Sequence, residues 1–189
     1  EPALRALMGA VSVDVTGDTR KSDAAAELRR AVDEAMPVLR AIPDGASDRR
    51  PAPGKWSARE IVGHLIDSAT NNHQRFVRAQ FQGDLVFPGY DQDAWVAAQR
   101  YNAAPWRDLV ELWRGYNLHL ARVMEGVPAE VRDREHRRHN FHQIGFRPVP
   151  EGEASTLDYL MHDYVVHLRH HLAQIERLLP PGAAKGDAQ

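Results

Sequence analysis

Apolar residues recur at intervals of three and four in four separate stretches of this 189-residue chain, each bounded by turn-forming residues. In the first, Leu28, Val32, Ala35, Met36 and Leu39 mark one face of a helix from Ser22 to about Ile42, closed by Pro43-Asp-Gly. Pro37 removes a backbone donor inside it and predicts a bend. A second helix starts at Ser57-Ala-Arg-Glu60, whose spacing is that of a capping box, and runs to about Gln80. Pro105 suits the first turn of a third, in which Leu109, Leu112, Trp113, Tyr116, Leu120 and Val123 follow until Gly126 and Pro128. A fourth begins near Ser155 or Thr156 and stops before Pro180-Pro181.

The segments between them differ in kind. Residues 44–55, with two glycines, two prolines and many charges, read as a plain connection. Gln82 to Ala104 contains Tyr90, Trp95 and Tyr101, too aromatic for a solvated linker, and predicts a loop with a short helix packed on the bundle. Residues 129–154 hold charge, three histidines and two prolines without a sustained period, which marks a long functional loop. Residues 1–21 form an arm whose Val11-Ser-Val-Asp-Val15 alternates too briefly to specify a sheet, and residues 181–189 a frayed tail. The expected domain is therefore residues 22–180, an all-α four-helix bundle with one core.

Charge and composition narrow the chemistry. A net charge of −2 offers no basic face for nucleic acid or anionic lipid, so neither is an expected partner. No run approaches the roughly 18 apolar residues of a membrane span, which leaves the cytoplasm as the expected location. The absence of cysteine excludes disulfides and thiolate nucleophiles, so any metal must be held by His, Asp or Glu.

Four of the ten histidines lie in the fourth helix. His167 and His171, four apart, project from one face within the stripe Leu160, Tyr164, His167, His171, Ile175 and Leu178. Taken alone the pair fits core or surface histidines as well as a ligand pair. His64, set among apolar residues in Ile61-Val-Gly-His-Leu65, supplies a third ligand from a facing helix, with Gly63 allowing close approach of another backbone. Three histidines with an open position form the pattern of a catalytic metal site. Asp163, one turn before His167, is placed to orient it or to ligate, with a solvent-facing or tyrosine-neighbouring role as an equal alternative. His162, His170 and Arg169 read as a solvated face. His136, His139 and His142 read as mobile surface histidines, with a second metal or substrate contact as the alternative, and His73 and His119 as structural or exposed. Trp95, Trp106 and Trp113 read as core, with a substrate platform as the alternative.

The segment Lys55-Trp-Ser-Ala-Arg-Glu-Ile-Val-Gly-His-Leu-Ile-Asp67, followed by His167-Leu-Arg-His-His171-Leu-Ala-Gln-Ile175, resembles the DinB-like superfamily. Gly89-Tyr-Asp-Gln-Asp-Ala-Trp95 points to its YfiT-type branch of metal-dependent hydrolases and thiol transferases. The resemblance implies an up-down-down-up bundle with a long crossover, a zinc or nickel ion on His64, His167 and His171, and a homodimer. It further implies an enzyme that uses a low-molecular-weight thiol such as bacillithiol, mycothiol or glutathione. Thiol S-transfer to an electrophilic small molecule ranks first, ahead of metal-dependent hydrolysis. A non-enzymatic metal-stabilised binding module is the third possibility.

Overall fold

A computed structural model describes residues 23–179, and Val11–Val15 and the tail from residue 180 lie outside them. The four expected helices are α1 (Ala24–Ala41), α3 (Ala58–Arg78), α5 (Trp106–Glu125) and α8 (Leu157–Leu178). Shorter helices α2 (Asp44–Ser47), α4 (Gln92–Gln99), α6 (Ala129–Arg132) and α7 (Phe141–Ile144) and a 3-10 turn (Tyr101–Ala103) occupy the connections. No strand occurs among the described residues, and none of their helices is long and apolar enough to cross a membrane.

Local chemistry sets the helix ends. The Asp23 carboxylate accepts from the backbone N–H of Ala25 and Ala26 at the start of α1. At α3 the capping box forms in full, with Ser57 and Glu60 each accepting from the other's backbone. The Thr156 hydroxyl accepts from Tyr159 N–H at the start of α8. α1 continues helically through Pro37 to Ala41.

α1 and α3 each pack on both α5 and α8, so they stand diagonally across the bundle. Ion pairing of Arg29 with Glu125, and the Trp106 indole N–H donated to Leu39 C=O, make α1 and α5 antiparallel. Pairing of His162 with Glu27 and Arg169 with Glu34 makes α8 parallel to α1. α3 opposes α8, because Phe76 meets Tyr164 while His64 meets His171. The directions are up, down, down, up, and residues 79–105 are the long crossover that joins the parallel α3 and α5.

Two features hold that crossover. Arg59, buried at the start of α3, donates to Ser47 Oγ, to the Asp44 carboxylate and to the carbonyls of Asn102 and Ala104. An isolated parallel bridge joins Leu85 to His139, and the Asn140 amide exchanges two hydrogen bonds with Phe87, tying the crossover to the α5–α8 connection. The latter is thus more ordered than its composition suggests. His139 in it is buried, with Nε2 2.8 Å from Glu153 C=O and the ring stacked on Phe141, and is not a mobile surface histidine. Trp106 and Trp113 are core residues as expected, but Trp95 is 40% exposed. α4 lies on the surface and buries only Val96, which leaves the indole against Tyr90.

Gly63 permits a close approach, but by a side chain and not by another backbone. A Cβ there would lie 2.1 Å from the Tyr101 ring, which is buried and donates its hydroxyl to Asp67 Oδ1 at 2.6 Å. Gly63→Ala should therefore cost about 1–3 kcal/mol despite the better helix propensity of alanine. Urea unfolding measures this, and an unchanged midpoint would show that Tyr101 does not seat against α3.

Candidate metal centre

His64 presents from the second turn of α3 and is fully buried, while His167 and His171 sit one turn apart on α8 and are partly buried. Because the helices run antiparallel, one imidazole from α3 falls beside two from α8. One ligand atom from each of the three lies within 4.8 Å of the other two. The rings meet nearly at right angles, with centroids 4.6 Å apart for His167 and His171, 4.7 Å for His64 and His171, and 5.1 Å for His64 and His167.

The electrostatics favour neutral rings. Burial lowers the pKa of His64 to about 3 and that of His167 to about 2, and each is pushed further down by its histidine neighbours. His171 is also lowered, chiefly by burial. Hydrogen bonds orient two of the rings: His171 Nδ1 lies 2.7 Å from Gln174 Oε1, which can only accept, so its proton sits on Nδ1 and Nε2 is free as a donor to a cation. His167 Nδ1 lies 3.3 Å from Ser68 Oγ. His64 and His167 bring their Nε2 atoms to 3.1 Å. Two imidazole nitrogens bound to one tetrahedral ion at about 2.0–2.1 Å stand roughly 3.3 Å apart. The donor set thus fits a divalent transition metal, which takes neutral imidazole readily, better than calcium or magnesium.

Ser68 and Gln174 escape sequence reasoning. Their spacing is the available signal, four residues after His64 and three after His171. Asp163, expected to orient or ligate, serves a different partner. Its oxygens accept from Phe146 N–H at 2.7 Å and Arg147 N–H at 2.8 Å, and it makes no hydrogen bond to the three histidines among the described residues. The carboxylate turns to the loop after α7, whose orphan N–H groups need an acceptor, and so fixes Phe146 with its ring 5.4 Å from His167. His162 faces Glu27 and Asp158, away from the centre. His170 is exposed, as expected of a solvated position, yet it borders the cavity described next.

Two cavities open on the centre. One of about 340 Å³ reaches His167 and His171 and is walled by Ser68, Arg75, Tyr90 and Phe146. The other, about 400 Å³, is bordered by Lys55, Trp56, Arg177 and again His171. His171 therefore stands where the two spaces meet. Trp56 closes the side of His64, their ring centroids 5.0 Å apart.

Comparison with known proteins agrees with this architecture. The sequence profile of the DinB superfamily matches residues 27–175. A Bacillus subtilis protein, YfiT, named for a candidate metal-dependent hydrolase activity, is 25% identical over 81% of this chain and 76% of its own length. A relative with the same kind of name from Oceanobacillus iheyensis is 28% identical over 65% of this chain. The match spans only 64% of that relative's length. The solved structure of YfiT, described as an unusual four-helix bundle topology, superposes with a TM-score of 0.66 at 21% identity, covering 82% of this chain and 83% of that one. At this identity the likeness is one of fold.

The buried neutral imidazoles predict how the metal-free protein responds to pH. Their folded pKa values lie below the ordinary value near 6.5, so the unfolded state takes up protons first as the pH falls. The stability is complete above about pH 6.5 and is lost as the pH falls toward about 3. Chelated protein should melt lower at pH 5 than at pH 7.5, and His167→Gln should reduce that difference. An equal difference in wild type and variant would mean that His167 is not held neutral.

Proposed function

The chain belongs to the DinB superfamily, and from that premise we propose that it is a metal-dependent enzyme transferring a low-molecular-weight thiol to an electrophilic small molecule, with His64, His167 and His171 as the metal ligands. The observation that carries the metal is the convergence of three neutral imidazoles with no carboxylate among them. When bound, a zinc or nickel ion there supplies Lewis acidity, which brings a water or thiol ligand into the range of deprotonation near neutral pH.

The chain's own residues do the rest. Gln174 and Ser68 hold the α8 imidazoles in the orientation that directs their donor nitrogens inward. Trp56 lies against His64 and Phe146 against His167, and the two rings restrict water around the centre. The meeting of two cavities at His171 supports transfer between two substrates, because each can reach the centre from its own side. With no cysteine in the chain, a sulfur nucleophile arrives only with a cosubstrate. Hydrolysis is the second reading, favoured by the names of the relatives, and needs one cavity for substrate with water entering by the other.

The purified protein should carry close to one equivalent of zinc or nickel per chain. His171→Ala should lose most of that affinity, whereas His162→Ala, with its ring directed at Glu27, should keep it. Elemental analysis with chelator competition measures both, and equal losses would show the ligand set to be wrong. A panel of electrophiles assayed with and without bacillithiol, mycothiol or glutathione tests the reaction. Metal-dependent turnover requiring the thiol is expected; turnover without any thiol would assign hydrolysis, and none under either condition would leave the non-enzymatic module.

A further inference from the structure

On one stripe of α3, Ser68, Asn72 and Arg75 follow His64 at helical spacing, and all three are buried, at 4%, 6% and 6% exposure. They are linked in sequence. Ser68 reaches His167, the Asn72 amide donates to Ser68 C=O at 2.9 Å, and Arg75 donates to Asn72 Oδ1. The stripe forms one wall of the 340 Å³ cavity, with the histidines toward one end and the guanidinium further along it.

Arg75 is a buried cation that makes no ion pair among the described residues, and the Asp163 carboxylate attracts it only from beyond ion-pair distance. Its two hydrogen bonds, to Asn72 Oδ1 and Pro88 C=O, are both long at 3.3 Å and use two of its five N–H groups. No carboxylate among the described residues lies within the 4.0 Å of an ion pair. Asp163 is the one acid on the cavity wall, and both its oxygens are already taken by Phe146 and Arg147. A buried charge of this kind is costly unless something pairs it. The three ligands of the centre are neutral imidazoles, so a divalent cation held there keeps its full charge and makes the same cavity still more positive.

We propose that Arg75 is the binding residue for an oxyanionic group of the substrate, a carboxylate or phosphate, seated in the cavity between Asn72, Tyr90, His167 and His171. The planar fork of N–H donors suits such a group, which Lys or a neutral amide matches less well. The substrate class is then a small organic acid whose charged end lies on Arg75 and whose reacting end points toward the histidines. Tyr90 contributes a hydroxyl kept protonated, since burial raises its pKa to about 12, and so can donate to the same oxyanion. This assignment rests on the metal-centre reading only for the direction in which the substrate points.

Calorimetric titration of the metal-loaded protein with inorganic phosphate and with succinate, at constant ionic strength, tests it. Neutral succinamide serves as the control. Saturable binding of at least one anion is expected, with the diamide bound far less. Arg75→Met should keep its metal and its helicity while binding that anion roughly tenfold to a hundredfold more weakly, the loss of a charge-assisted hydrogen bond. Arg75→Gln, which retains a donor for Asn72, should show the same weakening and replaces the methionine variant if that one does not fold. Equal binding by wild type and variant, equal binding of anion and diamide, or no anion binding would overturn the assignment. Metal content measured on the same samples separates the two readings. A protein that binds anion through Arg75 but holds no metal contradicts the proposed enzyme alone.

Discussion

Three imidazoles share the interior between α3 and α8, where burial opposes the protonation of each and a second protonated ring would repel the first. That constraint shapes the surrounding structure. Neutral rings packed edge to face present lone pairs to one another, so the arrangement gains most when a cation stands among them. Antiparallel helices bring His64 beside His167 and His171, and the up-down-down-up order places α3 and α8 next to one another in that sense. The long crossover between parallel α3 and α5 follows from this order.

The connections, in turn, finish the centre. The crossover returns Tyr101 against Gly63, where the absence of a side chain lets the ring reach Asp67, and Arg59 fastens both ends of the loop system to the first turn of α3. The α5–α8 connection delivers Phe146, held by Asp163, to the edge of His167. Residues that look like decoration in the bundle thus determine which sides of the histidines remain open. The open sides are the two cavities, and their walls differ, one with a buried Arg75 and one with Lys55, Trp56 and Arg177; for the proposed enzyme these walls would set substrate choice.

Much of this is legible in the chain itself. Periodicity locates all four long helices to within a few residues, since each buries a continuous apolar face, and the Ser57–Glu60 cap is readable because its chemistry is local. The three histidines can be grouped because two share a helix face and the third sits in an apolar context on another. What escapes is set by tertiary direction. Asp163 shares a helix face with His167, but its carboxylate answers the unpaired N–H groups of a loop whose path no local pattern reveals. Trp95 reads as core on size alone, while the shallow seat of α4 leaves it at the surface. His139 reads as solvated because a charged segment surrounds it, although a bridge to Leu85 and stacking on Phe141 bury it. Arg75 has the same character, because its burial and its missing partner exist only once the crossover and α8 close over it.

The central claim is that His64, His167 and His171 hold a single ion that keeps an exchangeable position. Cobalt titration of the metal-free protein, followed by visible absorption, tests this most directly because the ligand-field bands report both stoichiometry and coordination. Saturation at one equivalent is expected, with bands that shift on adding azide or a small thiol and that are lost in His64→Ala. Bands that do not saturate, that ignore added ligands, or that persist unchanged in His64→Ala would contradict it.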